Sequence, residues 1–390
     1  MHRRSFHAAA LTAMFGPAAA ATAAFPAPAG WVGAAWRGGQ APRRVLRGHA
    51  GHPDRAPAVA ADTLWRVASI SKLAQAVVVL RLAEAGRLDL RAPLDDWLGF
   101  RLRHPDGHAV NARDLLSHRS GLRDVDRGGL YITPEPLSAR QLAPHWAARH
   151  FSYANLNSIV LGTALEALLG QRYDELMQQW LFAPLGMEAA FDPGRLSDAQ
   201  RARTATLQRP GPQGWKAQTA DLRAGPVPAR AGADYRPGRN CQVLAPQGGL
   251  ITNLQSLERL AEALRSCDPR LLSPTGHRQL RESIWRAQPG GQDDTHGGLF
   301  QAWSHGAQCF TDTAGADRLR SRGGLRGFGH LAEAYGLLGG LVVQPAQAED
   351  PGWAMIYLLH GSAETPGRHS AFAAVEEAVM TELLDPIDLP

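Results

Sequence analysis

Apolar residues follow two different periods along the chain, and each period occupies its own part of the sequence. Strand-like apolar runs lie near both ends, at residues 32–36, 329–343 and 353–359. Segments with helical spacing are 68–85, 112–117, 156–169, 173–181, 254–264 and 371–384. Strands at both ends with helices between them predict one sheet built from distant segments, with a helical insertion.

The boundaries of these parts follow from the same pattern. We expect the sheet part at about residues 31–65 and 295–385, and the helical insertion at about residues 90–290. Residues 202–239 are dense in proline, glycine and arginine. This composition predicts an irregular surface excursion with little regular structure.

One predicted helix differs from the others. Residues 68–85 are apolar over most of the helical surface, and Gly86 follows them. A helix that is apolar all round is a buried one, and glycine commonly ends a helix. Ser69 and Lys72 lie three residues apart on its first turn, so their side chains share a face. The pattern therefore predicts a serine and a lysine at the floor of a cleft.

Composition sharpens the interpretation of this pair. The chain has 390 residues, 44% hydrophobic and 20% charged, which is an ordinary globular composition. Only two of its 41 basic residues are lysines, Lys72 and Lys216. Arginine keeps its proton, whereas a buried lysine can lose it and act as a base toward a serine hydroxyl. The structural alternatives are a helix cap for Ser69, an ion pair for Lys72 and a solvated side chain for Lys216.

Charge and short motifs exclude several classes of function. The net charge is +5, but the arginines are scattered without a dense basic run, so a nucleic-acid partner is not expected. No Cys-x-x-Cys pair, His-Glu-x-x-His helix or glycine-rich phosphate loop occurs, so no metal or cofactor is predicted. Cys241, Cys267 and Cys309 allow one disulfide in an oxidising compartment, with the pairing open.

The N-terminal residues have the pattern of an export signal. Arg3 and Arg4 precede a small apolar stretch, and Ala21-Thr22-Ala23 provides a cleavage site. We expect residues 1–23 to be a secretion signal peptide and residues 24–390 the mature protein, periplasmic or secreted. No membrane span is expected after signal removal, and the oligomeric state is open.

From residue 63 onward the chain resembles the serine β-lactamase and penicillin-binding superfamily, in its class C β-lactamase-like branch. The segments that carry the resemblance, in the family order, are 64–72, 110–122, 151–155, 184–187, 248–250 and 329–332. The resemblance implies an α/β (α+β) fold, an antiparallel sheet flanked by helices with an inserted, mostly helical domain. It also implies acyl transfer through an acyl-enzyme in a site between the two parts.

The resemblance assigns catalytic and binding roles to residues of segments 64–72 and 151–155. Ser69 would be the nucleophile, and Lys72 would share its proton. Tyr153 would be the second acid or base, and Asn155 would hydrogen-bond substrate or Lys72. The structural alternatives are an aromatic core residue for Tyr153 and the N-cap of the following helix for Asn155.

The third family element, usually Lys- or His-Thr-Gly, falls at Gly329-His330-Leu331-Ala332. His330 would hold a substrate carboxylate less strongly than lysine. Ala332 replaces the usual glycine, and its methyl group is expected to narrow the cleft. Glu333 would lend its backbone N–H to the oxyanion hole, and an inward carboxylate would repel anions. These three positions are the predicted substrate-binding residues, together with Asn155.

The sequence therefore predicts an exported serine hydrolase, a carboxylesterase or an amide or peptide hydrolase, with esters or neutral amides favoured over β-lactams by His330. Alternatives in the same class are a β-lactamase, a D,D-peptidase and a D-aminopeptidase. A non-catalytic relative that binds cell-wall peptides is the alternative of another class. A metal-dependent hydrolase using His330 and Glu333 lacks further recognisable ligands.

Overall fold

The computed structural model of the protein describes residues 27–125, 133–387 and 389, and the predicted signal peptide lies outside them. In these residues the strands are β1 Gly30–Arg37, β2 Arg43–Gly48, β3 Trp65–Arg66, β4 Ala189–Ala190, β5 Gln208–Gly211, β6 Gly214–Ala217, β7 Ile251–Thr252, β8 Trp285–Arg286, β9 Ala302–Trp303, β10 Gln308–Phe310, β11 Gly327–Ala334, β12 Leu337–Gln344 and β13 Trp353–His360. The helices are α1 Ile70–Glu84, α2 Asp95–Leu98, α3 Ala112–Leu116, α4 Ala139–Leu142, α5 Asn155–Leu169, α6 Tyr173–Met177, α7 Ala183–Leu185, α8 Asp198–Ala202, α9 Leu254–Arg265, α10 Pro274–Arg281 and α11 Ala374–Leu384.

An eight-stranded antiparallel sheet organises the fold. Its order is β2-β1-β13-β12-β11-β10-β9-β8, so strands from the two ends of the chain lie side by side. Short β3, β7 and β4 form a separate sheet beside α1 and α9. The antiparallel sheet with flanking helices confirms the predicted fold class, while the division into a sheet part and a helical insertion remains a prediction.

The two faces of the sheet bury different sets of side chains. Ala354, Ile356 and Leu358 of β13 pack in one core with α1 and α9. The alternate residues Met355, Tyr357 and Leu359 pack in a second core with α11. Alternation of this kind requires a strand covered on both faces, and it explains why β13 is apolar throughout.

Helix α1 lies inside the first core, between the sheet and the helical region. It contacts β11 on one side and α5, α6 and α10 on others. Twelve of its fifteen residues are buried, Lys72 among them. The prediction of a helix buried all round is therefore correct, and the first turn of α1 faces the junction between the sheet and α5.

Three predictions need correction or comment. Residues 202–239 are not wholly irregular, because β5 and β6 form a hairpin there. The helix predicted at 173–181 continues to Leu185 through a π-helical turn at Gln178–Phe182. All three cysteines are free, so the disulfide that the sequence allowed does not form among the described residues.

Within the described residues, no helix is long and apolar enough to cross a membrane.

Candidate active site

Two serines lie at the start of α1, and their surroundings separate their roles. Ser71 is fully buried, donates to the carbonyl of Ala68 at 2.6 Å and accepts from the N–H of Leu250 at 3.1 Å. Ser69 is half-buried at the N-terminal end of α1 and makes no capping hydrogen bond with its side chain. Only Ser69 thus has a hydroxyl available to a substrate.

The turn that precedes Ser69 has an unusual backbone. Ala68 adopts a left-handed conformation with φ 45°. For a non-glycine residue, such a conformation costs about 1–3 kcal/mol and persists only where neighbours impose it. Here Ser71 holds the Ala68 carbonyl, and the N–H of Val67 donates to Leu250 at 2.9 Å. The fixed turn orients Ser69 at the end of the helix.

Lys72 is buried beneath Ser69, and its ammonium nitrogen has three acceptors. Lys72 Nζ lies 3.0 Å from Ser69 Oγ, 2.8 Å from Asn155 Oδ1 and 2.7 Å from the carbonyl of Gln247. An amide oxygen and a carbonyl can only accept hydrogen bonds. When the amine is neutral, these two acceptors take its two hydrogens. Its lone pair is then directed at the hydroxyl of Ser69.

Asp124 fixes the orientation of Asn155 and was not predicted from the sequence. Its carboxylate accepts from Asn155 Nδ2 at 2.9 Å and from the backbone N–H groups of Asn155 and Leu156. A carboxylate only accepts, so the amide nitrogen of Asn155 must face Asp124 and its oxygen must face Lys72. The helix α5 begins at Asn155 itself, with Ala154 as N-cap, so the capping group is Asp124 and not Asn155.

The surroundings of Lys72 lower the pKa of its amine toward neutral pH. Burial lowers the pKa of Lys72 to about 7; the charge of Asp124 raises it and that of Arg66 lowers it. A group with a pKa near 7 can both accept and return a proton at neutral pH. The environment of Lys72 therefore suits proton transfer with Ser69.

The aromatic ring of Tyr153 lies next to the amine of Lys72. Lys72 Nζ is 5.0 Å from the centroid of the Tyr153 ring, within the range of a cation–π contact.

The ring of His118 also packs against that of Tyr153, with 4.5 Å between the two ring centroids. His118 Nδ1 accepts from the N–H of Ala154 at 3.1 Å, which places any ring hydrogen of neutral His118 on Nε2. Burial lowers the pKa of His118 well below its usual value, so this histidine is neutral.

An aromatic cluster surrounds Tyr153 and forms one side of the site. The ring centroids of Phe300, Trp303 and His296 lie 5.2, 5.7 and 5.7 Å from that of Tyr153. His330 lies at 5.8 Å. No sequence pattern pointed to Phe300 or His296, because they lie in a loop far from every family-like segment. The cluster offers an apolar surface next to the catalytic candidates.

The predicted substrate-binding residues of β11 occupy two faces of that strand. His330 is buried, Ala332 is fully buried in the core that contains α1, and Glu333 is half-buried. The methyl group of Ala332 is buried in this core, and the narrowing of the cleft by this methyl stays a prediction. A contact between Ala332 and substrate would use its main chain. The pairing of β10 with β11 covers residues 327–329 of β11, so the three predicted residues lie beyond it.

A profile of the β-lactamase family matches residues 18–380. The chain belongs to the β-lactamase family. Penicillin-binding protein 4 of Amycolatopsis lactamdurans is 25% identical over 308 residues, which cover 75% of this chain and 72% of that protein. Esterase EstB of Burkholderia gladioli is 31% identical over 265 residues, which cover 60% of this chain and 64% of EstB.

The fold of this β-lactamase family member has matches among solved structures. The structure of D-amino acid amidase from Ochrobactrum anthropi SV3 with L-phenylalanine has a TM-score of 0.66 at 19% identity, covering 92% of this chain and 94% of that one. At this identity the match shows the shared fold. The family comprises serine hydrolases, esterases and peptidases among them, so membership leaves the substrate open.

Proposed function

We propose that the protein is an exported serine hydrolase that transfers acyl groups through a Ser69 acyl-enzyme. One observation carries the proposal. Lys72 Nζ lies 3.0 Å from Ser69 Oγ while Asn155 and Gln247 occupy its other hydrogen-bonding directions. A neutral amine held in this way accepts the proton of the hydroxyl as the oxygen attacks a carbonyl carbon.

The reaction divides into two proton-balanced steps. As Ser69 Oγ bonds to the acyl carbon, its proton passes to Lys72. The leaving alcohol or amine receives a proton through Tyr153, whose ring lies against the Lys72 ammonium. Water then attacks the acyl-enzyme and gives up a proton to the same pair. The pair returns this proton to Ser69 Oγ as its bond to the acyl carbon breaks and the acid leaves. The N-terminal end of α1 and the backbone of Glu333 would stabilise the oxyanion.

Among substrates, we favour esters and neutral amides over β-lactams. The aromatic cluster presents apolar rings beside Tyr153. His330 stands where a lysine would give a permanent charge for the carboxylate of a β-lactam, and a neutral imidazole attracts that group less. The 31% identity to esterase EstB agrees with this preference.

The test compares the mature protein with its Ser69→Ala variant on a p-nitrophenyl short-chain ester and a chromogenic cephalosporin. Ser69-dependent ester hydrolysis with slow cephalosporin turnover is expected. Fast cephalosporin turnover would make the protein a β-lactamase, and D-amino acid amides would be the next substrates if neither reacts. Ester turnover that survives Ser69→Ala would contradict the proposal.

The other functions weighed from the sequence have less support. His330 and Glu333 are three residues apart on one strand, so their side chains leave opposite faces and do not converge on a metal. A binding protein without catalysis has no need of a base at 3.0 Å from a serine hydroxyl. Export is proposed from the N-terminal sequence alone, and N-terminal sequencing of the periplasmic protein would test cleavage after Ala23.

A further inference from the structure

A pocket of about 210 Å³ is lined in part by Leu64 and Arg66, which precede the nucleophile turn. Arg66, Arg230 and Tyr335 line it, together with Gly249. Tyr335 begins the turn between β11 and β12 in a left-handed conformation. Arg230 comes from the excursion that the sequence analysis interpreted as irregular surface. The pocket therefore joins the end of the substrate-binding strand to residues that precede the nucleophile.

The charges of the two arginines in this pocket are only partly compensated, since the carboxylate of Asp192 acts on Arg230. Neither guanidinium forms an ion pair with a carboxylate of the described residues. Arg66 Nε is buried and has no hydrogen-bond partner among the described residues. Tyr335 packs its ring 4.3 Å from the Arg66 guanidinium, which holds that group in place without neutralising it.

Asp192 is the acidic group that acts on Arg230, and its oxygens also accept three backbone hydrogen bonds. It accepts from the backbone N–H groups of Gly194, Arg230 and Ala231 at 3.0–3.1 Å. Burial lowers the pKa of Arg66 and of Arg230, and the charge of Arg230 lowers that of Arg66 further. Both side chains still carry their charge at neutral pH. Two cations held together in this way favour an anion between them.

The pocket is close to the nucleophile. Arg66 is three residues before Ser69, and its charge lowers the pKa of Lys72. Gly248, the neighbour of Gly249, packs on Ala68, where a Cβ would meet the Ala68 carbonyl carbon at 3.6 Å. His330 is elsewhere, because five residues of extended chain separate it from Tyr335 by about 16 Å.

We propose that Arg66 and Arg230 form a subsite for a carboxylate carried by the substrate, remote from the bond that is cleaved. The inference rests on the proposed function, since the substrate is the one whose acyl group Ser69 receives. A guanidinium fork matches a carboxylate with two parallel hydrogen bonds. The substrate class is thus an ester whose acyl chain ends in a carboxylate group, within the esters that the proposed function favours.

Binding is measured first, without chemistry. The Ser69→Ala variant is titrated calorimetrically with monomethyl suberate, an anion, and with dimethyl suberate, its neutral match. The anion should bind at least tenfold more tightly. Adding Arg230→Gln should weaken anion binding at least tenfold, Arg230→Lys should weaken it less, and Arg278→Gln on exposed α10 should not change it. Equal or absent binding of the two esters, or equal losses from Arg230→Gln and Arg278→Gln, would overturn the subsite.

Turnover separates this inference from the proposed function. The probes are mono-p-nitrophenyl suberate and its methyl ester, and the readout is the ratio of their kcat/KM values. Arg230→Gln should lower this ratio at least tenfold, and Arg278→Gln should leave it unchanged. Ser69-dependent hydrolysis without preference for the anion would overturn the subsite and leave the function standing. Hydrolysis independent of Ser69, with the binding preference intact, would overturn the function alone.

Discussion

The two sides of the candidate site are fixed by different means. Ser69, Lys72 and Asn155 form the helix wall, and side-chain hydrogen bonds join them to one another and to Asp124. His330 and the backbone of Glu333 form the strand wall, and the register of β11 with β12 positions them. Backbone register tolerates changes of side chain, whereas a hydrogen-bonded network does not. Chemistry should therefore depend on the helix wall and selectivity on the strand wall.

The largest effect is expected from Ser69→Ala. Removing the nucleophile should lower kcat for a p-nitrophenyl ester by at least about 10³-fold, because no acyl-enzyme forms. Circular dichroism and a burst experiment would show an intact fold without acylation. Ser266→Ala, on the exposed end of α9, is the matched control. Retained turnover in Ser69→Ala would place the nucleophile elsewhere.

Lys72→Arg should be nearly as damaging. Arginine keeps a charge but cannot accept the proton of Ser69, and a general base contributes about 10²–10⁴-fold to a rate. The exposed Lys216 provides the control, since Lys216→Arg makes the same exchange outside the site. A rate for Lys72→Arg within tenfold of the parent would show that the amine is not the base.

Asp124→Asn tests the network behind the helix wall. With neutral Lys72 as base, kcat/KM should rise with pH through a pKa of about 7. The carboxylate of Asp124 raises that pKa, so its removal should move this acid limb to lower pH. The rate above the limb should fall about tenfold, the scale of one charged hydrogen bond, because Asn155 can then rotate. Exposed Asp198→Asn is the control, and an unmoved limb would contradict the assignment.

The smallest effect is expected on the strand wall. His330→Lys places a permanent cation where the imidazole now lies. It should raise the ratio of cephalosporin to ester kcat/KM about fivefold, because desolvation of the buried lysine offsets most of the attraction. Parallel assays of both substrates give the ratio directly. If it stays constant or falls, His330 does not face the substrate carboxylate.

The sequence predicted the helix wall better than what surrounds it. Ser69 and Lys72 share one helical turn, so spacing alone brings them together. Asp124 lies in a loop 31 residues before Asn155, and no periodicity connects them. Arg230 and Arg66 line one pocket although they are far apart in the sequence, and the N–H of Arg230 is held by Asp192. Contacts within one element follow from local geometry, whereas contacts between loops require the tertiary fold.

The sheet also determines when the site can form. β1, the first strand described, is hydrogen-bonded along its whole length to β13, the last. During synthesis β1 can pair with β2, but its other edge has no partner until β13 has left the ribosome. Contacts between the ends of a chain slow folding, and an open strand edge invites aggregation. The order of translation thus delays the sheet, and the cleft built on it, until β13 has emerged.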